Sequence, residues 1–397
     1  MKKLSLSTLA IHGGTHSPQT GPVVFPIHQT SNFEFETSEV LDRINRGERG
    51  GYIYSRYANP TVDEVRKKIA LIAECDDALL FSSGMAAITT TIFSLCAQKG
   101  TIVTSAKLYG GSYRFFRDVL PSHGISVKYF ADDLSDLPSV IDETTSIVYF
   151  ETPTNPTVSI IDIERLVEIV REASKTFSKN ISIVLDNTFA TVVNQKPFSF
   201  GVDVVLESAT KYLGGHSDIV GGIVAARHEL IERIQHSHKY FGGCMDPFAA
   251  FLLSRSLKTL DLRVRKQNEN ALAFARHFEK HPRLRSVVYP GLESHPDHAV
   301  AKRQMIGFGG ILAVELNGGK EQVMECVDRF RVIKNAVSLG GVETLVSIPI
   351  LTSHVNMSAE ELRIAGVSER MMRFSIGIED VQDVIDDVEQ ALQSIKA

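Results

Sequence analysis

The sequence of 397 residues predicts an α/β fold in which a mostly parallel central sheet is followed by a smaller α+β C-terminal domain. Two observations support this prediction. Between residues 78 and 225, short apolar runs with strand-forming residues alternate with segments of helical character, which is the pattern of a parallel sheet covered by helices on both faces. After about residue 256, a long helical pattern and isolated strands replace that alternation.

The elements follow from this pattern in chain order. Residues 1–60 are rich in glycine, proline and polar residues, which predicts an extended N-terminal arm, and residues 62–73 begin the helical periodicity. The sheet of the second part, residues 61–255, is predicted to contain strands at 78–81, 101–105, 126–130, 146–150, 181–185, 202–206 and 222–225. For the third part, residues 256–397, we predict a helix over 257–280, strands at 310–316 and near Val346, and a terminal amphipathic helix over 381–395.

Composition and charge exclude several classes of function. The net charge is −5 and no block of like charge stands out, which argues against a nucleic-acid partner. No apolar run approaches the roughly 18 residues of a membrane span, and the N-terminus has no signal-peptide core. The four cysteines are scattered and form no CxxC pair, so we expect no metal, no disulfide framework and a cytoplasmic location.

Lys211 is the most informative residue of the chain. It comes shortly after the predicted strand 202–206, where desolvation lowers the pKa of an amine and frees it to form an imine with an aldehyde. Ser208 and Thr210 are two residues apart, so in an extended segment they point to the same side and can hold one phosphate. An aldehyde and a phosphate on one small molecule indicate pyridoxal 5'-phosphate (PLP). Taken alone, Lys211 is more simply a surface lysine followed by a glycine turn.

Other predicted strand ends carry residues that suit the same ligand. A helix begins near Gly84 and Met85, and its free N–H groups can bind a phosphate. Asp186 can pair with a protonated pyridine nitrogen, and Tyr109 can stack on a flat ring. Asn155 lies in a loop stiffened by two prolines. Each has an ordinary structural explanation as a cap, a turn or a loop residue, but together they form a row along one edge of the predicted sheet.

At this point the chain resembles the Cys/Met-metabolism family of PLP-dependent enzymes, of fold type I. The matching segments occur in family order along nearly the whole chain. They are residues 54–61 (YSRYANPT), 82–86 (SSGMA), 109–112 (YGGS), 151–156 (ETPTNP), 186–189 (DNTF), 208–218 (SATKYLGGHSD), 338–345 (SLGGVETL) and 373–379 (RFSIGIE).

The resemblance implies a role for each matching position. It makes residues 61–255 the PLP-binding domain, with Lys211 as the attachment lysine, Asp186 on the ring nitrogen and Tyr109 stacked on the ring and assisting the γ-leaving group. It places the other cofactor contacts at Gly84, Met85, Asn155, Thr188, Ser208 and Thr210. Tyr54 and Arg56 would reach the cofactor phosphate, and Tyr54 the substrate, in a neighbouring subunit, so the active site would need a dimer. The resemblance also implies that two such catalytic dimers form a homotetramer, with the dimer as the alternative final state.

The substrate side of the site is also implied by the resemblance. Arg373 would grip the α-carboxylate of an amino acid, assisted by Ser338 and Asn155. Arg114 and Glu343 would handle the distal end of cystathionine.

The implied reaction is γ-elimination or γ-replacement on sulfur amino acids or homoserine esters, most similar to that of cystathionine γ-lyases and γ-synthases. Gly111 stands where methionine γ-lyases of the family usually have cysteine, which counts against that activity. Ile53 stands where cystathionine lyases often have an acid, which weakens the case for cystathionine and keeps the acyl-homoserine sulfhydrylases open. A non-catalytic protein of the same fold is a remaining alternative, which the intact Lys211 and Asp186 disfavour.

Overall fold

The computed structural model describes residues 4–14, 21–355 and 357–395. Parts of the predicted arm (residues 1–3 and 15–20) and of the predicted C-terminal domain (residues 356, 396 and 397) therefore lie outside the described residues. The larger sheet consists of β1 (Asp77–Phe81), β2 (Thr101–Ser105), β3 (Ser126–Phe130), β4 (Thr145–Glu151), β5 (Ser182–Asp186), β6 (Val204–Glu207) and β7 (Gly222–Ala226). These strands confirm all seven sequence predictions, with ends that differ by no more than two residues.

The strands of this sheet follow the order β1-β7-β6-β5-β4-β2-β3. The pairs from β6 through β5, β4 and β2 to β3 are parallel, whereas β7 runs antiparallel to both of its neighbours. Parallel strands end at the same edge, so the carboxyl ends of β4, β5 and β6 lie side by side, with Glu151 in register with Asp186. This edge carries the site described below.

Helices surround this sheet because its strands are apolar on both faces. Alternate residues of β1 point to opposite sides, so that Leu80 belongs to one core and Leu79 and Phe81 to the other. The helices up to residue 257 are α1 (Leu6–His12), α2 (Ser38–Asn45), α3 (Pro60–Ala73), α4 (Gly84–Leu95), α5 (Gly110–Arg114), α6 (Leu137–Val140), α7 (Ile163–Thr176), α8 (Thr191–Asn194), α9 (His228–Phe241) and α10 (Pro247–Leu257).

The N-terminal segment is less extended than its composition predicts. Two of its described stretches are helical, and the first of them, α1, packs against the rest of the same chain. Ala10 is buried, and the Ser7 hydroxyl donates to Asp261 Oδ2 over 2.6 Å. The prediction missed α1 because only one of its residues is fully buried, so its apolar period is weak.

A second sheet lies entirely beyond residue 280. Its strands follow the order β10-β11-β12-β9-β8, with β8 (Leu284–Val288), β9 (Ile311–Leu316), β10 (Lys334–Asn335), β11 (Leu345–Ser347) and β12 (Met371–Ser375). Its helices are α11 (Leu260–Phe278), α12 (His298–Gln304), α13 (Lys320–Asp328), α14 (Ala359–Ala365) and α15 (Val381–Ser394). Sequence periodicity missed β8, β10 and β12; β10 has only two residues, and every residue of β12 is buried, so it shows no alternation.

The long helix predicted over residues 257–280 needs correction at its start. Residue 257 is the last of α10, and α11 begins at Leu260 after a break at Lys258 and Thr259. No helix in the described part of the chain has both the length and the apolar character needed to cross a membrane.

Candidate active site

A cavity of about 560 Å³ opens at the carboxyl edge of the larger sheet and reaches toward the second sheet. Its walls bring together eleven of the residues predicted from the sequence. These are Gly84, Met85, Tyr109, Asn155, Asp186, Thr188, Ser208, Thr210, Lys211, Ser338 and Arg373. The volume lies within the range of about 300–1,000 Å³ that is usual for small-molecule sites.

Lys211 reaches into this cavity from the loop after β6. Burial and the nearby positive charge of Arg373 lower the pKa of its amine to about 8. The Lys211 Nζ donates to Ser338 Oγ over 2.6 Å, a contact that joins positions 127 residues apart. Ser338 itself adopts a φ of 86°, a left-handed conformation that is strained for a residue with a side chain and is held here by its neighbours.

The start of α4 forms a cradle of main-chain donors beside β6. The Ser83 side chain accepts the N–H of Ala86 over 3.0 Å, and the first N–H groups of the helix have no partner inside it. A Cβ atom at Gly84 would lie 3.1 Å from Ser208 Cβ, so a side chain there would narrow the cradle. Thr210 borders the same space, with its hydroxyl accepting the Gly221 N–H over 3.0 Å. Donors at a helix start suit a phosphate.

Asp186 ends β5 on the cavity floor. Burial raises the pKa of its carboxyl, while the side chain and N–H of Thr188 lower it. The Thr188 N–H donates to Asp186 Oδ1 over 2.9 Å, and the Thr188 hydroxyl accepts the Ser208 N–H over 2.8 Å. Thr188 thus connects the acid of β5 to the lysine-bearing loop.

Tyr109 stands at the start of α5 with its side chain toward the cavity and is 44% exposed. A Cβ atom at Gly111 would lie 2.5 Å from Tyr109 Cε1 and 3.1 Å from Met85 Sδ. Glycine at position 111 therefore allows the ring to fold back over its own helix. A larger residue at that position would require a different placement of the ring.

Arg373 crosses from β12 into the cavity and is 6% exposed. Its Nη1 donates to Asn155 Oδ1 and its Nη2 to the Ser338 carbonyl, both over 3.0 Å. Its Nε is buried without a protein partner. Burial lowers the pKa of the guanidinium to about 10, so Arg373 remains a cation with a free donor.

Four of the sequence-predicted residues lie outside this cavity. Arg56 borders a different surface pocket, donates to the Lys239 carbonyl and lies over the Tyr57 ring at 4.7 Å. Tyr54 is 41% exposed and does not line the cavity. Glu343 turns toward the loop after Lys211, where it accepts the Ser217 hydroxyl. Arg114 is half-buried, and burial, the charge of Arg373 and the charge of Arg114 together lower the pKa of His354 to about 4.

The cavity also contains carboxyls to which sequence reasoning assigned no role. Glu151 and Glu207 are the last residues of β4 and β6 and flank Asp186. Burial raises the pKa of Glu207 to about 8, and the Asn187 side chain donates to its Oε1 over 3.1 Å. The signal that identified Asp186, an acid that closes an apolar strand, would also have identified these two residues.

The cavity meets each requirement of PLP. The cradle at Gly84 suits a phosphate, the Asp186 carboxylate a ring nitrogen, and the partly neutral Lys211 amine an aldehyde. The unpartnered Nε of Arg373 suits the carboxylate of an amino acid that reacts there. Among the described residues, no group of three or more histidine, cysteine, aspartate or glutamate side chains could hold a metal ion.

The chain is similar over nearly its whole length to several known proteins. The chain is 37% identical to the L-methionine gamma-lyase of Fusobacterium nucleatum subsp. nucleatum, over all of both chains. It is 36% identical to cystathionine gamma-synthase 1, chloroplastic, of Nicotiana tabacum, over 98% of this chain and 72% of that protein.

Among solved structures, cystathionine gamma-lyase from Lactobacillus plantarum complexed with L-serine superimposes with a TM-score of 0.91 at 33% identity, over 99% of each chain. A family model described as Cys/Met metabolism PLP-dependent enzyme matches residues 7–393. The chain therefore belongs to this family of PLP-dependent enzymes, whose fold it shares.

Proposed function

We propose that the protein catalyses γ-elimination or γ-replacement on sulfur amino acids or homoserine esters, as a carbon–sulfur lyase or transferase of transsulfuration. One observation carries the proposal: Ser338 accepts hydrogen bonds from both Lys211 Nζ and Arg373 Nη2, so the proton-moving amine and the carboxylate-binding fork are held side by side. The methionine and cystathionine enzymes among its relatives support this class of substrate.

The cation, the neutral amine and the acid of the cavity have different roles in this reaction. Bound PLP supplies an aldehyde for the substrate amine and a ring that withdraws electrons from the α-carbon. Arg373 binds the α-carboxylate through its free Nε and orients the α-proton toward Lys211, whose neutral Nζ removes it. Asp186 holds the charge that stabilises the protonated ring nitrogen, and Tyr109 assists departure of the γ-substituent.

The cavity favours substrates whose γ-substituent is uncharged. The acids of the cavity wall are Glu151, Asp186 and Glu207, all at the strand ends, and Glu343 is turned away. On the side of Ser338, the described wall contains Val337 and Leu339. A distal ammonium group on the side of Val337 and Leu339 would find no carboxylate at these two positions, so methionine, homocysteine and acyl-homoserines fit best.

Arg114 supports cystathionine as a second candidate. Its charge acts on His354, as does that of Arg373, and this supports a position of Arg114 near the substrate side of the cavity. A cation there suits the distal carboxylate of cystathionine.

A substrate panel distinguishes these candidates. The purified protein is offered cystathionine, methionine, homocysteine, and acyl-homoserines with cysteine or sulfide, and the products are identified. We expect 2-oxobutanoate from a lyase and a new thioether or thiol amino acid from a transferase. No turnover of any of these substrates by the PLP-loaded protein would contradict the proposed function.

The active protein is further proposed to be a homotetramer of two catalytic dimers in the cytoplasm. Tyr54 and Arg56 lie away from the cavity of their own chain, and the Tyr54 side chain is 41% exposed, as residues that serve a neighbouring subunit must be. Light scattering coupled to gel filtration tests the assembly, and a monomer that turns over substrate would contradict it. The four cysteines, all described, are unpaired.

A further inference from the structure

Glu151 connects two groups that face the cofactor. It closes β4 and is 5% exposed at the cavity wall. Both of its carboxyl oxygens lie 2.9 Å from the main-chain nitrogen of Tyr109, whose N–H donates to them. On its other side it is in register with Asp186 on the neighbouring strand. The buried carboxyl of Glu151 thus binds the main chain of Tyr109 and lies next to Asp186.

The surroundings of Glu151 disfavour a negative charge. Burial and the charge of Asp186 raise the pKa of its carboxyl well above the usual value, and the Tyr109 N–H and Ser112 hydroxyl lower it. Tyr149 precedes it on its own strand, and Glu207, Lys211 and Arg373 face the same cavity. None of the contacts that act directly on Glu151 is a cation. A buried carboxyl in such a place takes up a proton.

Asp186 differs from Glu151 in its donors. The N–H and the hydroxyl of Thr188 and the hydroxyl of Tyr149 all lower the pKa of Asp186, whereas only the Tyr109 N–H and the Ser112 hydroxyl lower the pKa of Glu151. When two neighbouring carboxyls cannot both ionise, the one with more donors keeps the charge. The geometry therefore leaves the negative charge on Asp186 and the proton on Glu151.

We propose that Glu151 is a positioning residue that works as an uncharged acid, fixing the main chain of Tyr109 and leaving the negative charge of the pair on Asp186. The proposal depends on the PLP chemistry of the proposed function but not on which substrate is used.

The test compares two variants of the PLP-loaded enzyme. Glu151→Gln keeps an acceptor for the Tyr109 N–H and is uncharged at every pH, so we expect unchanged PLP affinity and little change in kcat. Glu151→Ala removes the acceptor, and we expect kcat to fall on the order of 10²-fold because Tyr109 shifts. The KM of either variant should stay near that of the parent, since Arg373 still binds the carboxylate.

An infrared measurement gives a readout independent of activity. The spectrum of the parent holoenzyme minus that of Glu151→Gln should contain the carbonyl band of a protonated carboxyl, while the band of Glu207, whose pKa is about 8, is common to both proteins and cancels. A glutamine variant as impaired as the alanine variant, an alanine variant as active as the parent, or a difference spectrum without that band would each overturn the proposal. Thermal melting and near-ultraviolet circular dichroism show whether Glu151→Ala folds. If it does not fold, the activity of Glu151→Gln and the infrared band still test the proposal. PLP affinity and the infrared band need no substrate, so they remain readable if the proposed reaction itself is not found.

Discussion

At the scale of single residues, two basic side chains face one cavity, the half-buried Lys211 and the buried Arg373. Lys211 and Arg373 both lose hydration there, and the charge of Arg373 further disfavours a proton on Lys211. The consequence is an amine that is partly neutral near pH 8, whereas an ordinary lysine stays charged to about pH 10.

The lowered pKa of Lys211 predicts how attachment of the cofactor depends on pH. Only the neutral amine reacts with an aldehyde, so the rate at which apoprotein captures PLP should rise with pH and reach its midpoint near pH 8. Stopped-flow absorbance measures this rate. Arg373→Gln removes a positive charge and should move the midpoint to higher pH, whereas Arg363→Gln, at a 72% exposed side chain, should not. Equal midpoints in all three proteins would contradict the assigned cause.

The planar guanidinium group of Arg373 predicts a loss of kcat/KM when lysine replaces it, because lysine keeps the charge but not the shape. Arg373→Lys should lower kcat/KM by about 10- to 100-fold, which corresponds to the roughly 1.5–3 kcal/mol of a hydrogen bond to a charged group. The loss should appear for every amino-acid substrate, because all of them carry the α-carboxylate. Arg114→Ala should affect cystathionine alone. A uniform loss for Arg114→Ala would remove it from the distal pocket.

At the scale of elements, the start of α4 suits an anion because its first N–H groups have no partner inside the helix and Gly84 leaves space beside Ser208. The carboxyl ends of β4, β5 and β6 complete the floor. These features are properties of the helix start and of the shared sheet edge rather than of any single side chain.

Adding one methyl group to this cradle should weaken cofactor binding. The Cβ of Gly84→Ala would lie 3.1 Å from Ser208 Cβ and 3.2 Å from Ser208 Oγ. We expect the Kd for PLP, measured by equilibrium dialysis, to rise about tenfold, or roughly 1.4 kcal/mol. Gly319→Ala is the matched control, because its Cβ would have an ordinary contact of 3.5 Å with Gln322 Oε1. An unchanged Kd in Gly84→Ala would show that the phosphate lies elsewhere.

At the scale of the whole molecule, the N-terminal segment has two different relations to the rest of the chain. Its first helix, α1, is anchored on its own subunit through Ala10 and Ser7. Tyr54 and Arg56 lie further along, outside the cavity that contains Lys211. This separation suits an active site that is completed by a second copy of the chain.

Mixing two inactive variants tests this shared site. Lys211→Ala and Arg56→Ala should each have little activity, and hybrid dimers should contain one site in which both residues are native. Random reassociation should restore up to about a quarter of the parent activity, since half of the dimers are hybrids with one good site of two. Failure of the mixture to regain activity, with hybrids confirmed by native mass spectrometry, would place both residues in one subunit's site.

The sequence by itself determined the strands of the larger sheet and the site residues at their ends. Apolar strands are local patterns, and parallel strands always bring their carboxyl ends to one edge, so Asp186, Asn155 and Lys211 could be placed without coordinates. Tertiary structure alone decided what depends on contacts distant in the chain. The 127-residue link from Lys211 to Ser338, the turn of Glu343 toward Ser217 and the pairing of Glu151 with the Tyr109 N–H depend on side-chain direction, which periodicity does not encode.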